Sequence, residues 1–497
     1  MEHAETPYYD IVIVGAGLSG IGTAYHLQDK CPDKSYVILE GRDAMGGTWD
    51  LFRYPGIRSD SDMYTLGYNF KPWRGVKAIA DGPSILDYIR ETAAENGIDE
   101  HIRYGHRVKK VAWSTTEAAW TVEAEHKGTG KMVRIRCNFL LVCAGYYSYE
   151  GGYSPQFKGS ERFTGTIIHP QHWPEDLDYQ GKKVIVIGSG ATAMTLVPAM
   201  ADDAAHVVML QRSPTYVASV PAKDKVAHAL RRLLPESMAY AIIRWKNINL
   251  QQISYKYSRA APEKTKKALI KWVRQALGPG YDVDTHFSPD YNPWEQRLCF
   301  VPDSDLFEAI KSGRASVVTD HIDTLTETGI CLKSGRELEA DIIITATGLN
   351  LVVLGGVAVE VDGRPVDVSK RYTYKGLMYS DIPNLVSTFG YINASWTLRA
   401  DLNAEYVCRL LKHMDKRGTR QCTPRLRTEA SPMPTQPYIH NFSSGYMQRA
   451  INLFPKQGNR EPWVNPQIYS RDKKMLRRDP LEDGVLVFDN CAAPKGK

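Results

Sequence analysis

Residues 9–20 read YDIVIVGAGLSG, and residues 182–193 read KKVIVIGSGATA. In each stretch a short run of apolar, mostly β-branched residues ends at a Gly-rich turn, and a helix-forming segment follows. A second apolar run comes next in both cases, SYVILE at 35–40 and HVVMLQR at 206–212. This order is that of a βαβ unit, which favours a parallel sheet covered by helices. The sequence therefore predicts an α/β fold with two doubly wound, Rossmann-like dinucleotide-binding domains.

Two later apolar runs indicate how these domains are arranged along the chain. FLLVCAG at 139–145 and DIIITATG at 341–348 each end in small residues, and each is interpreted as a late strand that closes one dinucleotide unit. The second unit lies between parts of the first, so we expect it to be inserted there. We place the first part of the first domain at 8–150, the inserted domain at 151–375 with a helical insertion at about 223–280, and the return to the first domain with a C-terminal wrap at 376–497. Residues 416–497 are rich in Pro, Arg and Asn, and we expect this part to be irregular.

The composition is that of an ordinary globular protein. The chain has 497 residues, of which 43% are hydrophobic and 24% charged, which suggests about two or three domains. Eight cysteines occur without a C-x-x-C pair, so the sequence predicts neither a zinc ribbon nor a redox dithiol, and no metal site. The acidic, polar start and the strand-sized apolar runs predict neither a secretory signal nor a membrane span, and we expect a cytoplasmic protein.

Positive charge is concentrated between residues 223 and 276, which contain thirteen Lys and Arg but only three acidic residues. No nucleic-acid recognition motif accompanies this charge, and we expect no nucleic-acid partner. Trp245, Tyr255, Tyr257 and Trp272 lie among the basic residues. Basic helices with interspersed aromatic residues are typical of membrane-surface binding. Two interpretations stay open, a solvated helical face and weak association with a membrane surface.

The first Gly-rich turn has the spacing of a dinucleotide-binding motif. Gly15 permits the tight turn, Gly17 lets the backbone approach a pyrophosphate, and Gly20 allows close packing of helix on strand. The N-terminus of the following helix then favours a phosphate. Glu40 ends the second strand, where a carboxylate accepts hydrogen bonds from ribose hydroxyls. The alternative is a Gly-rich turn in an ordinary α/β protein.

The second turn carries the G-x-G-x-x-A variant at Gly188, Gly190 and Ala193. Its second strand ends in Arg212 and Ser213 rather than in an acidic residue. An acidic side chain there would repel a 2′-phosphate, whereas an Arg would pair with it. The pattern therefore predicts NADPH in preference to NADH. The alternative is that Arg212 is a solvated surface charge.

Two further motifs lie near these turns. GGTWDLFRYPGIRSD at 46–60 follows Glu40, so we expect it beside the cofactor of the first unit, with Trp49 as an apolar wall. FTGTIIHPQHWP at 163–174 precedes the second unit and has the spacing F-x-G-x-x-x-H-x-x-x-W-P. By composition alone this segment is interpreted as a linker, with His169 as a packed residue.

These motifs together resemble the fingerprints of type I Baeyer–Villiger monooxygenases. The segment at 163–174 is similar to the first fingerprint, and G-G-T-W-x-x-x-x-Y-P-G-x-x-x-D is similar to the second. Within that class the sequence most resembles the ethionamide-activating monooxygenase subgroup. The shared stretches are GGTWDLFRYPGIRSDSDMYTLG, IIHPQHWPEDLDY, VIGSGATA, RSPTY, YNPW-x-QRLC, DIIITATGLN and NASWTL.

The resemblance implies an activity and a pair of cofactors. FAD would bind to the first domain and NADPH to the second, and NADPH would reduce FAD, which forms a C4a-peroxyflavin with O₂. Attack on a ketone would then give an ester or lactone, and sulfur compounds such as thioethers or thioamides would also be oxidised. Arg297, in NPWEQRLC, matches the family's Arg beside the flavin, and Asp60 matches the Asp next to that Arg. The alternative for both residues is a salt bridge between domains. A fixed cation where negative charge develops is usually a large catalytic factor.

The resemblance also implies the remaining site residues. His169 and Trp173 would couple domain movement, together with the other fingerprint residues Phe163, Gly165 and Pro174. Many family members have Lys before the catalytic Arg, but this sequence has Gln296, which leaves Arg212 with more of the selection for NADPH. The candidate cofactor-binding residues are Gly15, Ala16, Gly17, Gly20, Glu40, Gly47, Thr48, Trp49, Asp50, Leu51, Arg58, Ser59, Asp60, Val108, Gly188, Ser189, Gly190, Ala191, Thr192, Ala193, Arg212 and Ser213.

Three other functions are compatible with parts of the pattern. An N- or S-oxygenating flavin monooxygenase would share both dinucleotide units, but the full F-x-G-x-x-x-H-x-x-x-W-P favours the Baeyer–Villiger type. A disulfide reductase would need the C-x-x-C that is absent. A non-catalytic flavin-binding protein would not consume NADPH under O₂. The sequence specifies neither the physiological substrate nor the oligomeric state.

Overall fold

The computed structural model describes residues 6–426, 433–440 and 442–490. Its larger sheet contains nine strands, and the central ones are parallel. Their order is Met132–Val142, Tyr8–Val14, Tyr36–Leu39 and Ile102–Arg103. The β-branched YDIVIV run is almost wholly buried in this sheet, which is why it forms a central strand.

The smaller sheet contains five strands, all of them parallel. Their order is Ala315–Thr319, His206–Gln211, Lys183–Ile187, Ile342–Thr345 and Thr166–Ile168. Each sheet therefore has the parallel arrangement of a dinucleotide-binding unit, and the predicted α/β class with two such units is confirmed.

The larger sheet continues beyond its parallel part. The antiparallel strands His106–Ser114 and Ala119–His126 extend it from Met132–Val142. Ala358–Val361 pairs in parallel with His106–Ser114, and Arg364–Pro365 forms the edge. Leu385–Ser387 adds a further parallel strand beside Met132–Val142.

The order of strands along the chain confirms that the smaller sheet is inserted into the larger one. All strands of the smaller sheet lie between residues 166 and 345, and strands of the larger sheet lie on both sides of that range. The chain returns to the larger sheet at Ala358–Val361, before residue 376, where the sequence placed the return. This four-residue strand is fixed by pairing with Lys110–Trp113 rather than by a strong apolar pattern of its own. The other domain bounds stay predictions.

The two connections between the sheets pair with each other. Tyr147–Gly152 leads out of the larger sheet, Leu349–Leu351 leads back from the smaller one, and they form a two-stranded antiparallel ribbon. This ribbon lies at the junction between the two units.

Helices cover both sheets. Leu18–Lys30 begins at Gly17, directly after the first strand, and Ala191–Met200 begins at Gly190 in the same way. The other α-helices are Thr48–Leu51, Met63–Leu66, Gly82–Glu95, Lys225–Leu233, Glu236–Ala260, Pro262–Leu277, Val283–Phe287, Asp305–Lys311, Trp396–Arg417, Gly445–Ala450 and Tyr469–Arg477. Among the helices of the described residues, none has the length and apolar character that crossing a bilayer requires.

Short strands complete the fold. Three of them, Ile322–Leu325, Gly329–Leu332 and Glu337–Glu339, form a small antiparallel sheet. The remaining strand pairs are Val217–Val220 with Cys299–Pro302, Thr373–Tyr374 with Met378–Tyr379, Gln421–Pro424 with Leu486–Asp489, and Gln436–Pro437 with Lys456–Gln457.

The insertion predicted at about 223–280 is helical. It consists of Lys225–Leu233, Glu236–Ala260 and Pro262–Leu277, of which the second is the longest helix and is called the insertion helix below. The C-terminal part, predicted to be irregular, contains regular elements as well, including the helix Tyr469–Arg477 and the strand Leu486–Asp489. Their buried residues pack on the helix Trp396–Arg417 and its neighbours, which stabilises them despite a polar composition.

Candidate active site

A cavity of about 910 Å³ lies between the two sheets, and both Gly-rich turns open into it. Gly15 and Gly17 line it from the larger sheet, and Gly188 and Gly190 line it from the smaller sheet. The two helices that follow these turns direct their N-termini, with free N–H groups, toward the same space. The cavity can therefore accept phosphate groups from two directions.

Backbone geometry explains why the first turn needs glycine. Gly15 has φ +102°, and a Cβ there would lie 2.8 Å from the carbonyl oxygen of Cys143. A Cβ on Gly20 would lie 1.9 Å from the carbonyl oxygen of Gly15. Gly20 does not line the cavity itself; it lets the helix approach the turn that does.

Glu40 lies at the end of the second strand, as the motif predicts. Its carboxylate accepts the backbone N–H of Ala16 at 2.8 Å and that of Arg42 at 2.9 Å. The side chain is buried, and burial raises the pKa of Glu40. Because each oxygen holds one N–H donor and the residue borders the cavity, a ribose hydroxyl could donate to a remaining lone pair. A carboxylate acceptor in this position fits the ribose in the adenosine half of FAD.

The segment 46–60 lies against the first turn. A Cβ on Gly17 would be 3.5 Å from the Cα of Gly47, so the two backbones nearly touch. Gly47, Thr48, Trp49 and Ser59 line the cavity. The prediction that this segment lies beside the first cofactor site therefore agrees with the position of these four residues.

Two charged residues of this segment are bound by protein groups. Asp50, predicted to bind the cofactor, is 2% exposed and forms salt bridges with Arg42, Arg53 and Arg90 instead of lining the cavity. Arg58 borders the cavity, but its guanidinium pairs with Asp305 on the helix Asp305–Lys311.

Arg297 and Asp60 form an ion pair in the wall of the cavity. The Nε atom of Arg297 donates to Oδ2 of Asp60 at 2.9 Å, and its Nη2 atom donates to the same oxygen. The Asp60 carboxylate raises the pKa of Arg297 well above its ordinary value, so the guanidinium stays charged. About 36% of the Arg297 side chain stays exposed. The pair therefore presents an oriented cation to the cavity.

Three tyrosines that the sequence did not single out surround Arg297. Tyr146 and Tyr147 follow the strand Met132–Val142, and their hydroxyl oxygens are 2.9 Å apart. Burial raises the pKa of both, and it raises the pKa of Tyr446 to about 12, although Arg297 opposes that rise. All three line the cavity, so protonated phenols lie next to the cation.

The second Gly-rich turn is open toward the cavity and tied to the end of the next strand. A Cβ on Gly190 would meet no atom within 4 Å. The hydroxyl of Ser189 donates to the carbonyl oxygen of Ser213 at 3.1 Å and lies 3.1 Å from Oγ1 of Thr215. Ala191 and Thr192, at the start of the helix, also line the cavity.

Arg212 is exposed at the edge of the cavity and forms no ion pair with any described residue. The fold brings Asp320 beside it, because the backbone N–H of Asp320 donates to the carbonyl of Gln211 at 3.0 Å. That carboxylate already accepts the N–H of His321 at 2.6 Å. Lys333 lies beside this segment, because its backbone N–H donates to the carbonyl of His321 at 2.8 Å. Lys333 also lines the cavity.

This arrangement supplies two cations, Arg212 and Lys333, and one carboxylate at the edge where a 2′-phosphate would bind. Hydrogen bonds from Ser334 and His321 lower the pKa of Asp320, so this carboxylate stays ionised. The sequence missed Lys333 and Asp320 because they come from separate strands that meet only in the folded sheet. Lys333 adds a second cation to Arg212 for the 2′-phosphate of NADPH, in a chain that has Gln296 in place of the family's Lys, whereas the charge of Asp320 opposes this phosphate.

Six predicted cofactor residues do not border the cavity formed by the described residues: Ala16, Gly20, Asp50, Leu51, Val108 and Ala193. Gly20 acts through close packing and Ala16 through its N–H on Glu40, so both shape the site indirectly. Val108 and Ala193 are buried core residues. Binding roles for the residues that line the cavity stay predictions.

The fingerprint segment 163–174 lies outside the cavity, and its residues have packing contacts that explain their spacing. Phe163 is buried in the core that the smaller sheet shares with the small antiparallel sheet. A Cβ on Gly165 would lie 2.3 Å from the carbonyl oxygen of Asp341. Trp173 packs against the other core of the inserted unit, and Pro174 accepts the N–H of Leu177.

His169 holds the ribbon that joins the two units. Its Nε2 donates to the carbonyl of Gly348 at 3.1 Å, and its Nδ1 accepts the N–H of Gln171 at 3.1 Å. A Cβ on Gly152 would lie within 2 Å of the ring, at 1.8 Å from Cε1. The neutral ring therefore contacts the end of Tyr147–Gly152 and the start of Leu349–Leu351. These contacts support a role in coupling the two units.

This geometry gives a pH prediction for folding stability. Burial lowers the pKa of His169 below its ordinary value of 6.5. The unfolded chain then binds more protons in the interval between the lowered value and 6.5, so the free energy of unfolding falls as pH drops through that interval. We expect His169→Gln to flatten this pH dependence, as measured by denaturant unfolding. His172→Gln, at an exposed position, is the control; equal slopes for wild type and His169→Gln would contradict the prediction.

Comparison with known proteins identifies the family. A model described as flavin-binding monooxygenase-like matches residues 79–416, and a model of an NAD(P)-binding Rossmann-like domain matches residues 13–75. The FAD-containing monooxygenase EthA of Mycobacterium tuberculosis is 55% identical over 99% of this chain and 100% of its own length.

The chain belongs to the flavin-binding monooxygenase-like family. The probable FAD-binding monooxygenase AlmA of Acinetobacter baylyi is 49% identical over 97% of this chain and 96% of its own length. The fold is similar to that of an oxidised steroid monooxygenase bound to NADP, with a TM-score of 0.76 and 22% identity over 97% of this chain and 99% of that one. The resemblance found in the sequence, including its EthA-like character, is confirmed, and the chain is a flavin monooxygenase.

Proposed function

We propose that this enzyme uses FAD, NADPH and O₂ to insert one oxygen atom into ketones, giving esters or lactones. The observation that carries the proposal is the ion pair of Arg297 and Asp60 in the wall of the cavity onto which both Gly-rich turns open. The first turn and Glu40 would hold FAD, and the second turn with Arg212 would hold NADPH. When bound, these cofactors supply the electrons and the reaction with O₂.

The protein's own contribution centres on Arg297. Oxygen insertion into a ketone builds negative charge on the carbonyl oxygen, and a fixed guanidinium beside it stabilises that charge without reorganising. Asp60 is a positioning residue, because its carboxylate takes two N–H groups of Arg297 and so fixes the plane of the guanidinium. Arg297 itself lines the cavity.

The walls of the cavity favour an apolar substrate. Tyr146 stacks on Trp396, with ring centroids 5.3 Å apart, and Phe389 packs against both rings. Tyr146 and Trp396 border the cavity, as does Phe52. Large aromatic faces exclude water, which strengthens the interaction of Arg297 with developing charge.

Oxidation of sulfur is a second proposed activity at the same site. Oxygen transfer to a thioether or thioamide proceeds best when the transferred oxygen carries a proton. The phenols of Tyr146, Tyr147 and Tyr446 are O–H donors beside Arg297, and burial keeps them protonated. The same cavity can therefore support both reactions.

Product analysis tests the proposal. Purified enzyme would be supplied with NADPH and O₂ and either a long-chain methyl ketone or an aryl methyl thioether, and products would be identified by mass. We expect the ester from the ketone and the sulfoxide from the thioether. Sulfoxide without any ester, across a panel of ketones, would contradict the proposal and favour an N- or S-oxygenating enzyme.

A proposed location and set of partners follow from the sequence and stay proposals. The proposed partners are O₂ and a small-molecule ketone, thioether or thioamide, and no nucleic acid is expected to bind. The proposed location is the cytoplasm.

A further inference from the structure

The insertion helix, Glu236–Ala260, exposes a row of large apolar side chains. Met238, Ile242, Trp245, Ile253 and Tyr257 follow one another at helical spacing, so they lie along one side. Trp245 is 69% exposed and Ile253 is 64% exposed. We call these five residues the outer stripe. Exposed apolar rows of this length are uncommon on proteins without a partner for them.

The opposite side of the insertion helix is firmly held. Arg244 is buried and donates from Nη1 to the carbonyl oxygens of Tyr64 at 2.8 Å and Gly67 at 2.7 Å. Asn247 donates to Oδ1 of Asp62 at 2.9 Å. The orientation of the helix is therefore fixed by its buried polar contacts, and the outer stripe faces away from the protein as a consequence.

Neighbouring residues enlarge this apolar surface. Leu250 on the same helix is 62% exposed, and Leu233, at the end of the preceding helix, is 79% exposed. The helix Lys225–Leu233 packs against the insertion helix. Of the four aromatic residues among the basic charges, Trp245 and Tyr257 are exposed, while Trp272 packs on Phe307 inside the protein.

Positive charge accompanies the outer stripe. Lys256 lies on the insertion helix, and Lys264, Lys267 and Lys271 are exposed at one-turn spacing on the next helix, Pro262–Leu277. In the part of the chain that the structure describes, none of these four forms a salt bridge, whereas Lys246 pairs with Asp224. Residues 223–276 contain thirteen basic and three acidic residues. An anionic surface is therefore the complementary partner.

We propose that the outer stripe and its flanking lysines dock the enzyme onto an anionic lipid bilayer. Apolar and aromatic side chains enter the region between headgroups and acyl chains, and the lysines bind acidic headgroups. A second copy of the chain is a poorer partner for this surface, because two such segments would bring like charges together.

Docking through this helix would bring lipid close to the active site. Gln251 donates to Oδ2 of Asp62 at 3.0 Å, two residues from Asp60. The ring of Tyr255 contacts that of Trp294, three residues before Arg297, with centroids 5.4 Å apart. The insertion helix thus contacts both segments that carry the Arg297–Asp60 pair.

Vesicle binding by the FAD-containing enzyme tests the proposal. Cosedimentation would be compared for vesicles of phosphatidylcholine alone and of phosphatidylcholine mixed with phosphatidylglycerol. We expect binding to the mixed vesicles, weakening as salt is raised because exposed charges are screened. Trp245→Glu and Ile253→Glu should each reduce binding about tenfold or more, since each places a charge in the apolar contact. Met132→Glu, a 51% exposed residue of the larger sheet, is the matched control and should leave binding unchanged.

Further measurements separate the outcomes. Lipids with brominated acyl chains should quench tryptophan fluorescence in the wild type and much less in Trp245→Phe, which retains an apolar ring. Unchanged FAD content in each variant shows that folding is preserved. Absence of binding to mixed vesicles, or equal loss in Met132→Glu, would overturn the proposal. The proposal would also be overturned if the enzyme did not bind vesicles but formed concentration-dependent dimers, seen by light scattering, that Trp245→Glu abolished.

Discussion

Replacing Arg297 by Ala should lower kcat for ketone oxygenation roughly 100–1,000-fold, the cost typical of removing one preorganised group that stabilises developing charge. The guanidinium lies in the cavity wall, held by Asp60 and surrounded by three tyrosines. Steady-state kinetics with product quantification by mass gives the measurement. FAD content should be unchanged, because the first Gly-rich turn and Glu40 are held by the N–H groups of Ala16 and Arg42 and not by Arg297.

Two comparison variants make this result specific. Arg297→Lys should rescue poorly, because an ammonium lacks the planar fork that engages Asp60 through two N–H groups. Asp60→Ala should cause a smaller loss, since the charge of Arg297 stays while its orientation is relaxed. Near-wild-type ester formation by Arg297→Ala would remove Arg297 from the mechanism. A larger loss from Asp60→Ala than from Arg297→Ala would reverse the two assigned roles.

Arg212→Ala should reduce the preference for NADPH over NADH by roughly 10- to 150-fold in kcat/KM. Loss of a charge-assisted contact to the 2′-phosphate costs about 1.5–3 kcal/mol, and about 1.4 kcal/mol corresponds to a factor of ten. Lys333→Ala should reduce the same ratio by a smaller factor, because the fold places Lys333 near Arg212 through His321 and Asp320.

The matched control is Lys182→Ala. Lys182 is exposed in the same unit but precedes the strand Lys183–Ile187, at the end opposite the second Gly-rich turn. The kcat/KM for NADH should stay near the wild-type value in all three variants. Direct binding of adenosine 2′,5′-bisphosphate, measured by calorimetry, should weaken in Arg212→Ala without any turnover. Equal use of NADPH and NADH by the wild type would contradict the assignment.

Local sequence patterns specified the parts of this protein that depend on neighbouring residues. The β-branched runs and Gly-rich turns predicted both parallel sheets, because strand, turn and helix are each encoded within about 30 residues. Glu40 could be placed for the same reason. Arg297 and Asp60 came from the resemblance to a family, since 237 residues separate them in the sequence and no local pattern connects them.

The features that sequence reasoning missed are made by contacts between distant segments. Asp320 and Lys333 reach Arg212 only because Ala315–Thr319 pairs with His206–Gln211 in the smaller sheet. Tyr446 reaches Arg297 from the C-terminal part, which we predicted to be irregular from its polar composition. Asp50 was predicted to bind the cofactor from its position, but it is buried in ion pairs with Arg42 and Arg53 nearby in the chain and with Arg90 on the helix Gly82–Glu95.

The fingerprint segment shows how a motif can be recognised before its physical role is known. The spacing of Phe163, Gly165 and His169 identified the family, yet composition alone gave only a packed linker. In the fold, Gly165 fits against a backbone carbonyl and His169 joins the two strands that connect the units. The Gly165 contact requires the pairing of Thr166–Ile168 with Ile342–Thr345. The His169 contacts require the paired strands Tyr147–Gly152 and Leu349–Leu351, which are too short and polar to predict.

We propose that this enzyme transfers one atom of O₂ to a ketone with electrons from NADPH. The most direct measurement is single-substrate turnover under isotopically labelled O₂, with a ketone, NADPH and the FAD-containing enzyme, followed by mass spectrometry of the product. We expect an ester or lactone that carries one labelled oxygen atom, with one NADPH oxidised for each product molecule. NADPH oxidation that yields only labelled hydrogen peroxide from every ketone tested, or an ester without label, would contradict it.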